Sequence, residues 1–265
     1  MNRAAIVTLV VGDRYFLDWQ KYSEPSWRAY AQKHQLDLIV LKDPLDRSPR
    51  AAARSPAWQK CLIPSQPFAQ QYEQLVLLDS DIAINSAEAP NVCELVPPDR
   101  IGGVLSGSHI QEDLRAVLLT RLGRRSSSYL RAAEAWREDQ GRGYLPYGLN
   151  PLDAGIVQTG VLVLNGPRHA ELFRKIYDAN YPLETRTYEQ IPLSHAMLTA
   201  GVFQEIDTRF NSVFFESMLV HFPYLLDRSR PDHEHLARLY VRAEYGNNFF
   251  LHFAYDRQFI RYLAG

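Results

Sequence analysis

Apolar residues occur in two spacings along this chain. Short unbroken runs recur at Ala5-Ile6-Val7-Thr8-Leu9-Val10-Val11, Leu38-Ile39-Val40-Leu41, Leu75-Val76-Leu77-Leu78, Ile101 to Leu105 and Gly160-Val161-Leu162-Val163-Leu164. Runs of this length without polar alternation predict strands covered on both faces. The first runs directly into Gly12-Asp13, so it reads as a strand and not as a targeting segment. Elsewhere the spacing is helical. After Ser23, with Pro25 in the first turn, Trp27, Tyr30, Ala31 and His34 share one face. A helix is expected around Trp58 to Ile63. Pro167 starts another, with Leu172, Phe173, Ile176 and Tyr177 turned inward, and a further one runs from Glu189 to Ala200. Val202 to Ile206 and Phe249 to Phe253 read as later strands, and Phe259, Ile260 and Leu263 as a last helix. Strand-helix-strand order predicts an α/β fold, a mostly parallel central sheet flanked by helices.

The segment 109–150 breaks this rhythm. It carries Arg121, Arg124, Arg125, Arg131, Arg137 and Arg142 together with Ser126-Ser127-Ser128. It reads as an insertion, part helix and part loop, that serves as a lid or acceptor region or as a solvated charged face. With no internal repeat and no clean linker, residues 1–265 read as one domain.

Bulk properties exclude some functions. The chain has 265 residues, 46% of them hydrophobic, so a large core can be buried. A net charge of −1 argues against a general nucleic-acid binder, which needs a basic face. No stretch approaches the roughly 20 apolar residues of a membrane span. The two cysteines, Cys61 and Cys93, read as free thiols in a reducing compartment, and a cytoplasmic location is expected.

Candidate chemistry begins at Asp79-Ser80-Asp81, directly after an apolar run. Side chains two apart in an extended segment point to one side, so the two carboxylates converge. Ligands of open α/β sheets bind at the carboxyl ends of strands. Two carboxylates that close repel unless a cation intervenes, and hard oxygen ligands suit Mn²⁺ or Mg²⁺ bridging to a phosphate. Three readings fit the triplet: a nucleophile loop of the haloacid dehalogenase phosphatase type, a nucleotide-sugar transferase, and a binding protein that keeps the fold without the chemistry. The phosphatase loop ordinarily follows the first strand, whereas Asp79 follows the third.

The motifs, taken in order, resemble a GT-A glycosyltransferase of the retaining glycogenin-like and galactosyltransferase-like families, over nearly the whole chain. Ala5-Ile6-Val7-Thr8 with Asp13-Arg14-Tyr15 is similar to the opening strand and nucleotide-binding turn. Trp58-Gln59-Lys60 and Leu77-Leu78-Asp79-Ser80-Asp81 resemble the basic residue and the DxD strand. Gln158-Thr159-Gly160, Glu189-Gln190, Phe210-Asn211 and His252 resemble the later landmarks. The resemblance implies a single Rossmann-like GT-A domain with a small antiparallel element near the metal site. It implies a hexose moved from a nucleoside diphosphate sugar, UDP-sugar favoured, to a saccharide, glycolipid or protein acceptor with retention.

It also implies residue roles. Asp79, Asp81 and His252 hold Mn²⁺ or Mg²⁺. Thr8, Asp13 and Tyr15 line the base and ribose. Lys60, Ser80, Gln158 and Arg257 contact phosphate or sugar, and Gln190, Glu189 and Asp153 sit at the reacting sugar. Two departures stand out: Gln158 stands where the family usually has Asn, and the end of the chain differs. The family's terminal His-x-x-Gly-x-x-Lys is absent: Phe253-Ala254-Tyr255-Asp256-Arg257-Gln258 follows His252. Arg257 is then the basic residue left for the diphosphate, and a nucleotide-sugar-binding pseudoenzyme is the alternative. Asp232-His233-Glu234-His235 reads as a solvated helix start in preference to a zinc site.

Overall fold

The first apolar run forms β1 (Ala4–Leu9), and Gly12, at φ 101°, turns the chain from it into α1 (Asp13–Tyr22). α2 (Glu24–His34), β2 (Asp37–Leu41) and the single turn α3 (Pro49–Ala52) follow. Then come a 3-10 segment over Pro56–Ser65 and β3 (Gln74–Leu78). This is a computed structural model that describes residues 3–111, 113–114, 117, 121, 140–181 and 188–264. Beyond β3 lie β4 (Ile82–Ile84), β5 (Ile101–Leu105), β6 (Val157–Leu164), α4 (Gly166–Asp178) and α5 (Gln190–Thr199). β7 (Phe203–Glu205), β8 (Ser212–Val213), α6 (Phe214–His221), α7 (His233–Asn247) and β9 (Phe250–His252) follow, with a final 3-10 segment over Arg257–Leu263 and shorter 3-10 turns between the elements.

The main sheet has six strands in the order β2-β1-β3-β6-β5-β7. β1 runs parallel to β2 and β3, and β5 parallel to β7, while β6 lies antiparallel to both β3 and β5. The sheet is mostly parallel, as expected, with one reversed strand at its centre. Strand alternation divides the core. Ile6, Val76, Val161 and Val163 face Trp19, Trp27 and Tyr30 on one side. Ala5, Val7, Leu75, Leu77, Leu162 and Leu164 face Trp58, Ile63, Phe173 and Tyr177 on the other. A second sheet, β4-β9-β8, contains the expected antiparallel pair: Ile82 opposes His252 across β4 and β9.

Several elements differ from expectation for identifiable reasons. α1 buries only Trp19, so it leaves almost no periodic apolar stripe to read. The helix expected near Trp58 is a 3-10 segment, closed by Pro64, which has no N–H to donate. Ser23 does not cap α2 through its side chain; its hydroxyl donates to the Ser80 carbonyl at 3.0 Å. α7 starts at His233 as expected, but that residue is buried and its Nε2 contacts the Leu225 carbonyl at 2.9 Å. Most of the arginine-rich insertion lies outside the described residues. Arg121 is described and partly buried: its guanidinium donates to the Leu219 and Val220 carbonyls at the end of α6. Among the described residues, no helix is long and apolar enough to cross a membrane.

Candidate metal and donor site

β3 delivers Asp79 to the edge of the main sheet. The Asp79 N–H donates to the Gly160 carbonyl of β6 at 2.9 Å, which extends the β3–β6 ladder to the first aspartate. The chain then turns through Ser80 and Asp81 into β4. That turn is held from below by α2. Ser23 donates to the Ser80 carbonyl, the Trp27 indole N–H to the Ile82 carbonyl at 2.8 Å, and Ser26 accepts from the Ile84 N–H at 3.1 Å. From the other side the Phe253 N–H donates to the Asp81 carbonyl at 2.9 Å, which fixes β9 against the turn.

Three side chains converge there. His252 Nε2 lies 3.3 Å from Asp81 Oδ1 and 3.9 Å from Asp79 Oδ2. One ligand atom from each of the three residues lies within 4.8 Å of the others. The aspartates are partly exposed, with His252 buried beside them. Two carboxylates and one imidazole make a donor set that suits a divalent ion open to solvent on one side. The residues present therefore fit the ion that the motif order implies. Without an ion, burial works against the Asp81 charge, yet His252 holds the carboxyl below the ordinary aspartate value. Burial likewise pulls His252 down, but the aspartates outweigh it and hold the imidazole above the ordinary histidine value.

Lys60 was expected at a phosphate or sugar. It is buried instead among protein groups. Its ammonium lies 2.5 Å from Asp79 Oδ1 and 3.1 Å from Glu189 Oε1, and it donates to the Thr159 carbonyl at 3.0 Å. Those three partners engage all three N–H donors of an ammonium. Burial alone would lower Lys60, but the two carboxylates keep it above the ordinary lysine range. Glu189 is 3% exposed and also accepts from the Thr159 hydroxyl at 3.2 Å. Burial pushes its carboxyl up and Lys60 pulls against that.

The remaining expected residues separate into two groups. Thr8 is buried near the end of β1, and its Oγ1 has no hydrogen-bond partner among the described residues. Asp13 and Tyr15 stand exposed in the first turn of α1, not in a loop. Arg257 joins them: its guanidinium lies 4.4 Å from the centre of the Tyr15 ring and 3.1 Å from Asp18, and its charge also helps lower Asp81. Gln190 opens α5 immediately after Glu189. Gln158 is buried in β6 and its carbonyl accepts from Asn211. Asp153 is exposed in the turn before β6, with no contact to the three-residue cluster among the described residues.

Sequence reasoning missed two supports. In the sequence Asn211 is only a landmark beside Phe210, yet its Oδ1 meets His252 Nδ1 at 2.9 Å. Gly160 reads in the sequence as part of a motif, yet a Cβ there would lie 2.3 Å from His252 Cε1, so only glycine admits the ring. The one signal in the sequence was the glycine itself, inside an otherwise bulky strand.

No protein-family model and no curated protein sequence matches this chain. Solved structures do. A glycosyltransferase involved in glycosylation of the major capsid of PBCV-1 superposes over 98% of this chain and 100% of its own, with a TM-score of 0.56 and 13% identity. The bifunctional glycosyltransferase WbbM matches 100% of this chain at a TM-score of 0.54 and 12% identity, over 50% of its own length. GlyE of Streptococcus pneumoniae TIGR4 matches 100% at a TM-score of 0.50 and 12% identity, over 61% of its own length. The chain thus spans half of WbbM and less than two thirds of GlyE. At such identities the likeness is one of fold: the chain has the GT-A glycosyltransferase fold that its motifs resemble.

Proposed function

We propose that this chain is a metal-dependent glycosyltransferase that moves a hexose from a nucleoside diphosphate sugar, foremost a UDP-sugar, to a saccharide, glycolipid or protein acceptor with retention. The observation that carries the reading is the convergence of Asp79, Asp81 and His252 at the edge of β3, in a fold shared with glycosyltransferases. Mn²⁺ or Mg²⁺ held by these residues would supply Lewis-acid stabilisation of the departing diphosphate. The buried Thr8 hydroxyl and the exposed Tyr15 and Asp13 serve the base and ribose. Arg257, poised between α1 and Asp81, serves the diphosphate in place of the missing lysine. Ser80, Gln158, Gln190 and Asp153 serve the sugar and acceptor, and Glu189 with Lys60 sets the charge beneath them. Retention suits a site in which Glu189 is engaged by Lys60 and is not free to act as an external base. On this reading residues 1–265 are one domain, and the insertion 109–150, most of which lies outside the described residues, is a lid or acceptor region. The two buried thiols, Cys61 and Cys93, fit a cytoplasmic setting.

A second reading, a nucleotide-sugar-binding pseudoenzyme, draws on one observation. Arg257 is tied to Asp18 and Tyr15, so a diphosphate must compete for it. A thermal-shift screen of UDP-, GDP- and other nucleotide sugars with and without Mn²⁺ tests the shared premise. Ligand at 100 times its Kd adds about 2.7 kcal/mol of stability. Release of sugar from the stabilising donor supports the transferase, and binding without turnover supports the pseudoenzyme. If neither metal nor nucleotide shifts the melting temperature, both fail.

A further inference from the structure

We propose that Asn211 is a positioning residue for the metal site: it fixes His252 as the tautomer protonated on Nδ1, and so presents an unprotonated Nε2 to the ion between Asp79 and Asp81. This rests on the metal-dependent reading above. A carboxamide has an acceptor end and a donor end, and its orientation is decided by what surrounds it. Here the Gln158 carbonyl, which only accepts, lies 3.2 Å from Asn211 Nδ2. That places Oδ1 toward His252 Nδ1, at 2.9 Å. An amide oxygen also only accepts, so Nδ1 carries the proton. Nδ1 keeps that proton in either charge state, so the proton an incoming ion displaces is the one on Nε2, which faces Asp81 Oδ1 at 3.3 Å and Asp79 Oδ2 at 3.9 Å. A lone pair among carboxylate oxygens is a geometry that a cation completes.

The frame around this pair is rigid. Asn211 is 1% exposed and His252 2%. Asn211 ends the short turn Thr208–Asn211, which the Asp207 carboxylate caps by accepting from the Arg209 N–H at 2.9 Å. The chain continues directly into β8, whose Val213 pairs with His252. Gly160 closes the other side, since a Cβ there would lie 2.6 Å from Nδ1. The relay from the Gln158 carbonyl through Asn211 to His252 thus joins the reversed strand β6 to the metal-binding edge of β9. Partners of this kind typically govern metal affinity by 10–100-fold.

The test is Mn²⁺ binding to the metal-free full chain at pH 8, with free ion counted by electron paramagnetic resonance. Asn211→Leu removes the acceptor, and Asn211→Asp keeps an oxygen for Nδ1–H while losing the donor to Gln158. The expected result is about a 10–100-fold loss for N211L, with N211D close to wild type and His252→Ala setting the floor. N211L binding as wild type overturns the assignment, and so does N211D falling as far as N211L, which would mark a purely structural role. Because N211L is prone to misfold, the wild type loaded with diamagnetic Zn²⁺ gives an independent answer. Proton–nitrogen correlation must show His252 protonated at Nδ1, and protonation at Nε2 overturns the proposal. Wild type that binds Mn²⁺ and loses it in Asp81→Asn, with N211L unaffected, sinks only the role of Asn211. Wild type without any Mn²⁺ saturation sinks the metal reading as well.

Discussion

At the residue scale, Lys60 shows what spacing along the chain conceals. Its partners, Asp79 and Glu189, lie far from it in sequence, so no local spacing reveals the ion pairs that bury it. In the structure it is the buried cation that lets two carboxylates share one wall of the site. Removing one member of such a group leaves uncompensated buried charge, which costs about 3–5 kcal/mol. Lys60→Met is therefore expected to lose about that much stability in urea unfolding. Adding Glu189→Gln should recover most of the loss, because Asp79 alone can reach solvent. A single variant within about 1 kcal/mol of wild type, the size of a surface pair, would show that the contact contributes no more than an exposed one. The three residues of the candidate metal site were legible because Asp79-Ser80-Asp81 follows an apolar run and His252 falls in the order of the family that the motifs resemble. Asn211 and Gly160 act through the ring of His252, and the glycine inside a bulky strand is the one trace of this in the sequence.

At the scale of elements, the buried strands announce themselves. β1, β3 and the second half of β6 are almost wholly apolar because both faces are covered. The direction of β6 was not legible, since a buried run looks the same in either sense. α1 was missed because it turns most of its length to solvent. The most consequential element for the site is α2, whose role is also hidden. Ser23, Ser26 and Trp27 hold the turn through Ser80 and Ile82 that aims both aspartates. Trp27→Phe keeps an aromatic ring but removes the donor to the Ile82 carbonyl and leaves a void. The lost bond and the void together are expected to cost about 2–4 kcal/mol. Mn²⁺ affinity should fall with stability, because the same turn carries Asp79 and Asp81. A W27F protein that loses stability and binds Mn²⁺ as wild type would uncouple α2 from the site.

At the scale of the whole molecule, buried acids and histidines near the candidate metal site make stability depend on pH. Glu216 on α6 is 2% exposed, and its Oε2 has no hydrogen-bond partner among the described residues; His109 Nε2 stands 3.6 Å away. Burial pushes its carboxyl up to about 7, with His252 pulling the other way. The folded chain therefore favours protonated Glu216 more than the unfolded chain does. The stability it contributes is full below the ordinary glutamate range and is lost as pH rises through about 7. His252, held above its ordinary value, has the same sign: its contribution is full below the ordinary histidine range and fades as pH climbs through the raised value. Asp81 has the opposite sign, present above the ordinary aspartate range and lost as pH falls through its lowered value. Maximal stability of the metal-free chain is thus expected on the acid side of neutrality. Each tenfold change in proton affinity corresponds to about 1.4 kcal/mol, so the decline from Glu216 is large enough to measure. Glu216→Gln keeps the shape and removes the titration. Melting temperatures taken from pH 5 to pH 8.5 should converge for the two proteins at the acid end. E216Q should melt several degrees higher at the alkaline end, with a shallower residual decline left by His252. Parallel curves across that range would mean that Glu216 ionises in the folded chain as readily as in the unfolded one, and that the charge is matched where it sits.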